Sequence, residues 1–146
     1  MDIRTLGEDD LDALLALYAH LFVATNPMPT HDQAAAIWRE LLAGERYRYF
    51  GGFVDGELIS TCALTMVPNL TRAGQPYGLI ENVVTHADYR QRGYGRAVLH
   101  AALAHAWQQG CYKVMLMTGR KDAATLRFYE SAGFDGDEKQ GFIAKP

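Results

Sequence analysis

The sequence predicts an α/β fold: a mixed, mostly antiparallel sheet with a central parallel pair of strands and helices on both faces. Residues 47–54 and 57–67 are rich in β-formers, and Asp55-Gly56 between them is a strong signal for a two-residue hairpin. Residues 79–118 read strand, helix, strand, and such a crossover joins parallel neighbours. The predicted order β-α-α-β-β-β-α-β-α-β contains both kinds of pairing.

A short strand over residues 2–6 and two helices are expected first. Residues 26–29 contain two prolines and break the first helix, while Thr30 is a good N-cap for the second and Gly44 a good end. Both helices have apolar residues at helical spacing. These stripes are Leu11, Leu14, Leu15 and Tyr18 in the first helix, and Ile37, Trp38, Leu41 and Leu42 in the second.

The remaining elements alternate between strands and helices. A strand over residues 79–85 precedes a helix that follows Gly93, and a buried-type strand over 113–118 precedes a helix capped by Asp122. The tail is predicted to supply one or two final strands through Phe134 and residues 142–144. The helical stripes are Leu99, Ala102, Leu103 and Ala106, then Thr125, Phe128, Tyr129 and Ala132.

Length and composition indicate a single domain over residues 1–146. The chain is 49% hydrophobic and 21% charged, which is typical of a globular protein. A formal net charge of −3 gives no sign of a nucleic-acid partner, and no apolar run is long enough to span a membrane. Cys62 and Cys111 form no pairing motif, and the N-terminus lacks a signal-peptide core, so we expect a cytoplasmic protein.

The most informative segment is the turn from Arg90 to Arg96, which contains Gly93 and Gly95 and leads into a helix. Backbone N–H groups at a helix N-terminus form an anion site, and glycines allow close approach and positive φ. Arg90, Arg92 and Arg96 could add charge-assisted hydrogen bonds. A plain strand–helix turn is the alternative. The Walker loop and the dinucleotide fingerprint are excluded, because no Gly-Lys-Ser/Thr is present and valine replaces the third glycine.

Two segments carry a family resemblance. Arg90-Gln91-Arg92-Gly93-Tyr94-Gly95 resembles the Gln/Arg-x-x-Gly-x-Gly/Ala signature of the GNAT superfamily of acetyl-CoA-dependent N-acetyltransferases, and residues 81–89 resemble the preceding strand and turn. Residues 124–134 are similar to the family's helix with Phe-Tyr-Glu followed by Gly-Phe. The resemblance implies a GNAT-like fold and an acyltransferase that moves an acetyl group from acetyl-CoA to a primary amine by direct attack in a ternary complex.

The resemblance also implies how acetyl-CoA is bound. The strand end would pair with the pantetheine arm, the turn would hold the pyrophosphate, and an amide there would polarise the thioester carbonyl. Asp122 stands where many relatives carry an asparagine that contacts pantetheine; capping a helix is the alternative role. The expected cofactor-binding residues are Val83, Val84, Thr85, Gln91, Arg92, Gly93, Tyr94, Gly95, Arg96 and Asp122.

Glu81 and Tyr129 are the expected catalytic residues. An ammonium must lose a proton before it attacks, and the departing CoA thiolate needs one. Glu81 matches a glutamate that serves as base in some relatives, and a buried carboxylate at this position would suit the task near neutral pH. A solvated glutamate is the alternative. Tyr129 would be the acid, or else a tyrosine of the core.

The acceptor is expected to be a small-molecule amine, in a pocket formed by residues 23–31 and the loop 68–76. Arg72 in this loop could hold an anionic substrate or be a solvated arginine. Two alternatives stay open, namely a non-catalytic CoA-binding or assembly module and a protein or peptide N-acetyltransferase. No histidines show ligand spacing, so no metal is expected. The resemblance is compatible with a homodimer.

Overall fold

The computed structural model describes residues 1–21 and 27–146, and within them five strands form one sheet with helices on both faces. The strands are β1 (Asp2–Thr5), β2 (Tyr47–Val54), β3 (Glu57–Val67), β4 (Tyr77–Thr85) and β5 (Val114–Leu116). The helices are α1 (Leu11–Tyr18), α2 (His31–Ala43), α3 (Tyr94–Gln108) and α4 (Ala123–Ser131). Short 3₁₀ turns precede α1, β4 and α3.

The strands follow one another across the sheet in chain order, from β1 to β5. The pairs β1–β2, β2–β3 and β3–β4 are antiparallel, whereas β4 and β5 are parallel and are connected through α3. The mixed, mostly antiparallel sheet with a parallel pair is therefore confirmed. A crossover helix is the expected connection for such a pair, since parallel strands cannot be joined by a tight turn.

Each face of the sheet has its own hydrophobic core. On one face, β2, β3 and β4 pack against α3 and α4; on the other, the sheet packs against α1 and α2. The first core contains Phe50, Cys62, Leu64, Met66, Ile80, Val98, Leu99, Ala102, Ala106, Cys111 and Ala132. The second contains Leu6, Leu14, Leu17, Trp38, Phe53, Leu58 and Val84. Ile80 and Val84, four residues apart on β4, therefore belong to opposite faces of the sheet.

Local signals in the sequence account for several element boundaries. Asp55 and Gly56 have φ of 51° and 84°, so both hairpin residues adopt the left-handed conformation that this turn requires. Thr30 caps α2 by accepting from the Gln33 backbone N–H, and the Gln33 side chain accepts from the Thr30 N–H. The hairpin turn and the Thr30 cap were predicted, whereas the reciprocal bond from the Gln33 side chain was not.

The prediction of strands in the tail is wrong, because no strand follows α4. Phe134 packs against the first core, but Phe142 is 90% exposed and Ile143 is 71% exposed. The intervening residues 135–141 are polar or glycine, so this segment has little apolar surface with which to dock. In the described part of the chain, no helix is both long and apolar enough to cross a membrane.

Candidate active site

The site is built on an open edge of β4. β5 pairs with β4 only at residues 78–80, so no described strand covers residues 81–85 on that side. Backbone N–H and C=O groups along such an edge can pair with an extended ligand as an added strand would. Val83, Val84 and Thr85 lie on this open edge, where the pantetheine arm was expected.

A β-bulge lies at the start of this open edge. Thr61 on β3 pairs with Val84, and Ala63 pairs with Glu81, so one residue of β3 lies opposite two residues of β4. Asn82 has a φ of 52°, in the left-handed region. A bulge with an extra residue bends the strand and changes the faces of the residues that follow. The bulge thus separates the fully paired part of β4 from its open part.

The turn after β4 presents backbone donors at the start of α3. Gly93 is the N-cap residue with a φ of 83°, and the space where a Cβ would lie is open. Gln91, with a φ of 61°, is also left-handed. The first N–H groups of α3 and the positive end of its dipole therefore meet at an exposed point. Such a point can hold a diphosphate.

Gly95 has a different role from Gly93. It is buried, and a Cβ there would lie 3.0 Å from Thr85 Oγ1 and 3.2 Å from Phe128 Cζ. The absence of a side chain lets α3 pack closely against β4 and α4, as the third glycine does in other helix–strand turns. The sequence predicted that both glycines leave room for a ligand; of the two, only Gly93 has open space where a Cβ would lie.

The arginines of the turn also differ in role. Arg90 donates from Nε to the Thr85 carbonyl and from Nη2 to the His20 carbonyl, both at 3.0 Å. It therefore ties the chain just after α1 to the end of β4. Arg92 and Arg96 are exposed, and the Arg92 guanidinium lies 5.7 Å from the centre of the Tyr89 ring. These two arginines can reach an anion at the start of α3.

Glu81 lies on the open edge of β4, and its carboxylate acts electrostatically on the phenol of Tyr129. Tyr129 is half-buried and packs against the first core, next to Phe128, with ring centres 4.9 Å apart. Burial raises the pKa of Tyr129, and the nearby Glu81 carboxylate raises it further. Tyr129 is therefore a protonated phenol at neutral pH. Glu81 itself is exposed, so the buried environment considered for it is not found.

Asp122 caps α4, the helix that carries Tyr129. Its Oδ1 accepts from the Thr125 backbone N–H at 3.0 Å, and Arg120 Nε donates to its Oδ2 at 3.0 Å. The Thr125 backbone hydrogen bond, with smaller contributions from the Thr125 hydroxyl and Arg120, lowers the pKa of Asp122. The structure thus shows the capping role; its cofactor contact stays a prediction.

Glu81 lies on the sheet face opposite the first core. Directly paired residues share a face, so Leu79 lies in one row with Thr65 and Met115. All three are half-buried. Glu81, two residues beyond Leu79, lies on the same side of the strand before the bulge. We refer to this surface, Thr65, Leu79, Glu81 and Met115, as the acceptor shelf.

Two cations lie at the far end of the acceptor shelf, near the start of β4. The Arg72 guanidinium and the Lys113 ammonium are each 5.3 Å from the centre of the Tyr112 ring, and Lys113 is 5.6 Å from that of Tyr77. Neither cation pairs with a carboxylate among the described residues. Of the other predicted wall, residues 23–26 lie outside the described residues.

One contribution to the site was missed at the level of sequence. Lys113 follows a tyrosine before a short strand, and its contact with the Tyr77 ring appears only when β4 and β5 pair. Tyr18 was interpreted as part of the apolar stripe of α1, and it packs against the second core, where burial raises the pKa of its phenol. The described residues contain no group of His, Cys, Asp and Glu that could hold a metal.

Comparison with known proteins gives concordant matches. The family model described as the acetyltransferase (GNAT) family matches residues 11–134. A glucosamine 6-phosphate N-acetyltransferase of Trypanosoma brucei brucei is 33% identical over 140 residues, which cover 96% of this chain and 92% of the relative.

Solved structures agree with this match. A protein of Agrobacterium tumefaciens str. C58 that carries an acetyltransferase assignment superposes with a TM-score of 0.93 at 43% identity, over 100% of both chains. Glucosamine-6-phosphate N-acetyltransferase from Arabidopsis thaliana has a TM-score of 0.84 at 23% identity, over 99% of this chain and 97% of its own, which shows likeness of fold.

Proposed function

The chain belongs to the GNAT acetyltransferase family and is an acetyl-CoA-dependent acyltransferase, and from this premise we propose that it acetylates a primary amine of a small molecule by direct attack in a ternary complex. The observation that carries the proposal is the open edge of β4. It leads into the donor-rich start of α3 and has Glu81 and Tyr129 beside it.

Acetyl-CoA binds along this edge in the proposal. Val83, Val84 and Thr85 pair with the pantetheine arm through their backbone groups, and the turn holds the diphosphate through Gln91, Arg92, Gly93, Tyr94, Gly95 and Arg96. The exposed, left-handed Gly93 supports this placement, because a phosphate can approach its backbone with no Cβ in the way. Asp122 acts mainly through α4.

Glu81 is the base and Tyr129 the acid. Glu81 takes a proton from the substrate ammonium, directly or through a water, and the neutral amine attacks the thioester carbonyl carbon. The C–S bond then breaks, and Tyr129 donates its phenolic proton to the departing thiolate. The second proton that the attacking nitrogen loses as the amide forms restores the phenol through solvent. The raised pKa of Tyr129 supports this role, because the phenol stays protonated until the thiolate forms.

The substrate, we propose, also carries an anionic group. Arg72 and Lys113 lie at the Tyr77 end of the acceptor shelf and Glu81 at the other. Tyr77 and Glu81 are four strand residues apart, which corresponds to about 13 Å. An aminosugar phosphate has its amine and its anion at opposite ends of one small molecule, and the trypanosomal relative is named for such a substrate.

An acceptor screen tests the proposal. Release of CoA from acetyl-CoA is measured with glucosamine 6-phosphate, glucosamine, other small amines and lysine-containing peptides. We expect turnover with a small amine and a higher kcat/KM for the phosphorylated one. Turnover with peptides alone would assign a protein N-acetyltransferase. Binding of acetyl-CoA without turnover on any acceptor would assign a non-catalytic CoA-binding module.

A paired variant tests the anionic group. The double variant Arg72→Gln, Lys113→Gln should raise KM for glucosamine 6-phosphate by about 100-fold, since each of the two charge-assisted hydrogen bonds contributes roughly 1.5 kcal/mol, or about tenfold. It should change KM for glucosamine by less than about twofold, because that substrate has no anion to hold. Arg39→Gln on the exposed side of α2 is the control. Equal losses with both substrates would contradict the anion site.

A further inference from the structure

Two hydrogen-bonded hydroxyl groups join β3 to the end of β4. Ser60 on β3 is fully buried, with 0% of its surface exposed. Its Oγ lies 3.1 Å from the Val84 carbonyl oxygen and 2.9 Å from Thr85 Oγ1. Because a carbonyl can only accept, the single hydroxyl proton of Ser60 is donated to Val84, and the Thr85 hydroxyl donates to Ser60. The hydrogen bonds therefore run from Thr85 to Ser60 and on to the Val84 carbonyl.

The part of β4 that follows the bulge is held to β3 by a short ladder. The register shifts between Thr61 and Ala63, and beyond the shift Thr61 pairs with Val84 and Ser60 pairs with Thr85. One more backbone bond follows, from the His86 N–H to the Ile59 carbonyl at 2.8 Å. On its other side, this part of β4 is the open edge. The two side-chain bonds of Ser60 therefore reinforce the strand end where the backbone ladder is shortest.

Thr85 also contacts the start of α3. A Cβ on Gly95 would lie 3.0 Å from Thr85 Oγ1, so this hydroxyl packs closely against the backbone of the first helical turn. Ser60 thus reaches the open edge through the Val84 carbonyl and the start of α3 through Thr85. One buried serine therefore supports both parts of the site that we assign to acetyl-CoA.

We propose that Ser60 is a positioning residue for the acyl donor, which keeps the open edge of β4 and the start of α3 aligned so that one molecule of acetyl-CoA binds both at once. The inference rests on the proposed function, which places the pantetheine arm on the edge and the diphosphate at the turn. Ser60 itself touches no part of the donor. Its effect on affinity arises from geometry, because two linked groups reinforce each other only when both subsites can be occupied together.

Binding of CoA and of its two parts to Ser60→Ala tests this alignment. The Kd for CoA, measured by calorimetry, should rise by about 10-fold, since the second contact no longer follows freely from the first. Pantetheine occupies only the edge and ADP only the turn, so their Kd values should change by less than about twofold. An unchanged Kd for CoA would overturn the proposal. So would a loss for either fragment as large as that for CoA, because Ser60 would then support one subsite alone.

Thr61→Val is the matched control. Thr61 is also 0% exposed, and its hydroxyl donates to the carbonyl of Phe50 on β2 at 2.8 Å. Each variant removes a buried hydroxyl-to-carbonyl bond of β3, so both should lower the urea midpoint of unfolding by similar amounts. Only Ser60→Ala should weaken CoA, because the bond of Thr61 is made to β2 and not to the open edge. An equal rise in Kd for Thr61→Val would show that affinity merely follows stability and would refute the alignment role.

Thr85→Val tests the path from Ser60 to α3. It removes the hydroxyl from the other end of the Ser60–Thr85 bond and keeps the shape of the side chain, so CoA should again be weakened more than either fragment. In the Ser60→Ala background, Thr85→Val should change the Kd for CoA by less than about twofold, because the bond between the two hydroxyls is already lost. A further loss of about 10-fold would show that Thr85 acts independently of Ser60 and would contradict the proposed path.

None of these binding measurements requires an acceptor. If the wild type binds CoA but acetylates no amine, the proposed catalysis fails, and the three Kd values still decide whether Ser60 aligns the donor site. If the wild type binds CoA no more tightly than ADP, the arrangement of two linked subsites is wrong, and the inference about Ser60 is overturned with it.

Discussion

Residues 78–80 and residues 81–85 belong to one strand but have opposite surroundings. The first three are paired on both sides, by β3 and by β5, and Ile80 at their end is only 1% exposed. The last five are paired on one side, start with a bulge and carry an exposed glutamate. The same backbone is thus structural support in one half and a binding edge in the other.

The difference arises from the length of β5. Three residues of β5 are enough to cover the first half of β4, and the chain then leaves the sheet for α4. The backbone N–H and C=O groups of residues 81–85 that no described strand pairs are therefore free to pair with a ligand. Substitutions in the two halves should therefore affect different measurements, stability in one and catalysis in the other.

The largest expected effect is on catalysis, from Glu81→Gln. Loss of a general base typically lowers the rate by roughly 10²–10⁴-fold, so kcat should fall within that range while the Kd for acetyl-CoA is unchanged. Steady-state kinetics and calorimetric binding measure the two quantities. Glu57→Gln, at the exposed start of β3, is the matched control. Full activity in Glu81→Gln would assign Glu81 to the solvated surface.

The complementary change, Ile80→Ala, should affect stability. A fully buried isoleucine replaced by alanine costs about 2–5 kcal/mol, because a cavity remains in the core. Val83→Ala should cost about 1 kcal/mol, since Val83 is only half-buried. Urea unfolding measures both. Similar losses for the two variants would show that the open half of β4 is as well packed as the closed half.

Tyr129→Phe should separate binding from turnover. The ring and its packing against Phe128 and Phe134 are kept, so affinity for acetyl-CoA is expected to stay the same. Loss of the proton donor should lower kcat by about 10–100-fold. The loss should be smaller with a thioester whose thiolate is a better leaving group. An unchanged kcat would make Tyr129 a residue of the core only.

The smallest expected effect concerns Asp122. Its pKa is lowered in the folded protein, first by the Thr125 backbone hydrogen bond, so the folded state favours the carboxylate. The stabilisation is therefore present above the ordinary aspartate pKa of 3.8 and is lost as the pH falls through the lowered value. Wild type should have a higher Tm than Asp122→Ala at neutral pH, and this difference should shrink in acid. Asp122→Asn keeps a cap and should show no such pH dependence.

Local signals in the sequence were sufficient for much of the framework. Asp55-Gly56, Thr30 and Asp122 each act within three residues of their partners, and all three adopt the predicted conformations. The mixed sheet followed from the order of strands and helices. The prediction of strands in the tail was wrong, because Phe142 and Ile143 have strand-type side chains but pair with no described strand.

The site was less predictable, because its contacts join distant residues. Arg90 donates a hydrogen bond to the carbonyl of His20, 70 positions earlier. Its guanidinium therefore connects two parts of the fold, whereas the sequence suggested that it binds a phosphate. The bulge at Asn82 depends on the register between β3 and β4, which no local pattern reveals. The exposure of Glu81 likewise depends on where β5 ends.

The contact between Gly95 and Phe128 gives the protein a fixed internal length. Gly95 lies in the first turn of α3, which receives the diphosphate in our proposal, and Phe128 adjoins Tyr129, which receives the thiol. Because the Phe128 ring packs against α3 where Gly95 has no side chain, the span between these two ends is set by the fold. The protein would therefore select its acyl donor by the distance between the diphosphate and the thioester. A thioester with a shortened pantetheine arm could place its diphosphate at the start of α3 or its sulfur at Tyr129, but not both at once.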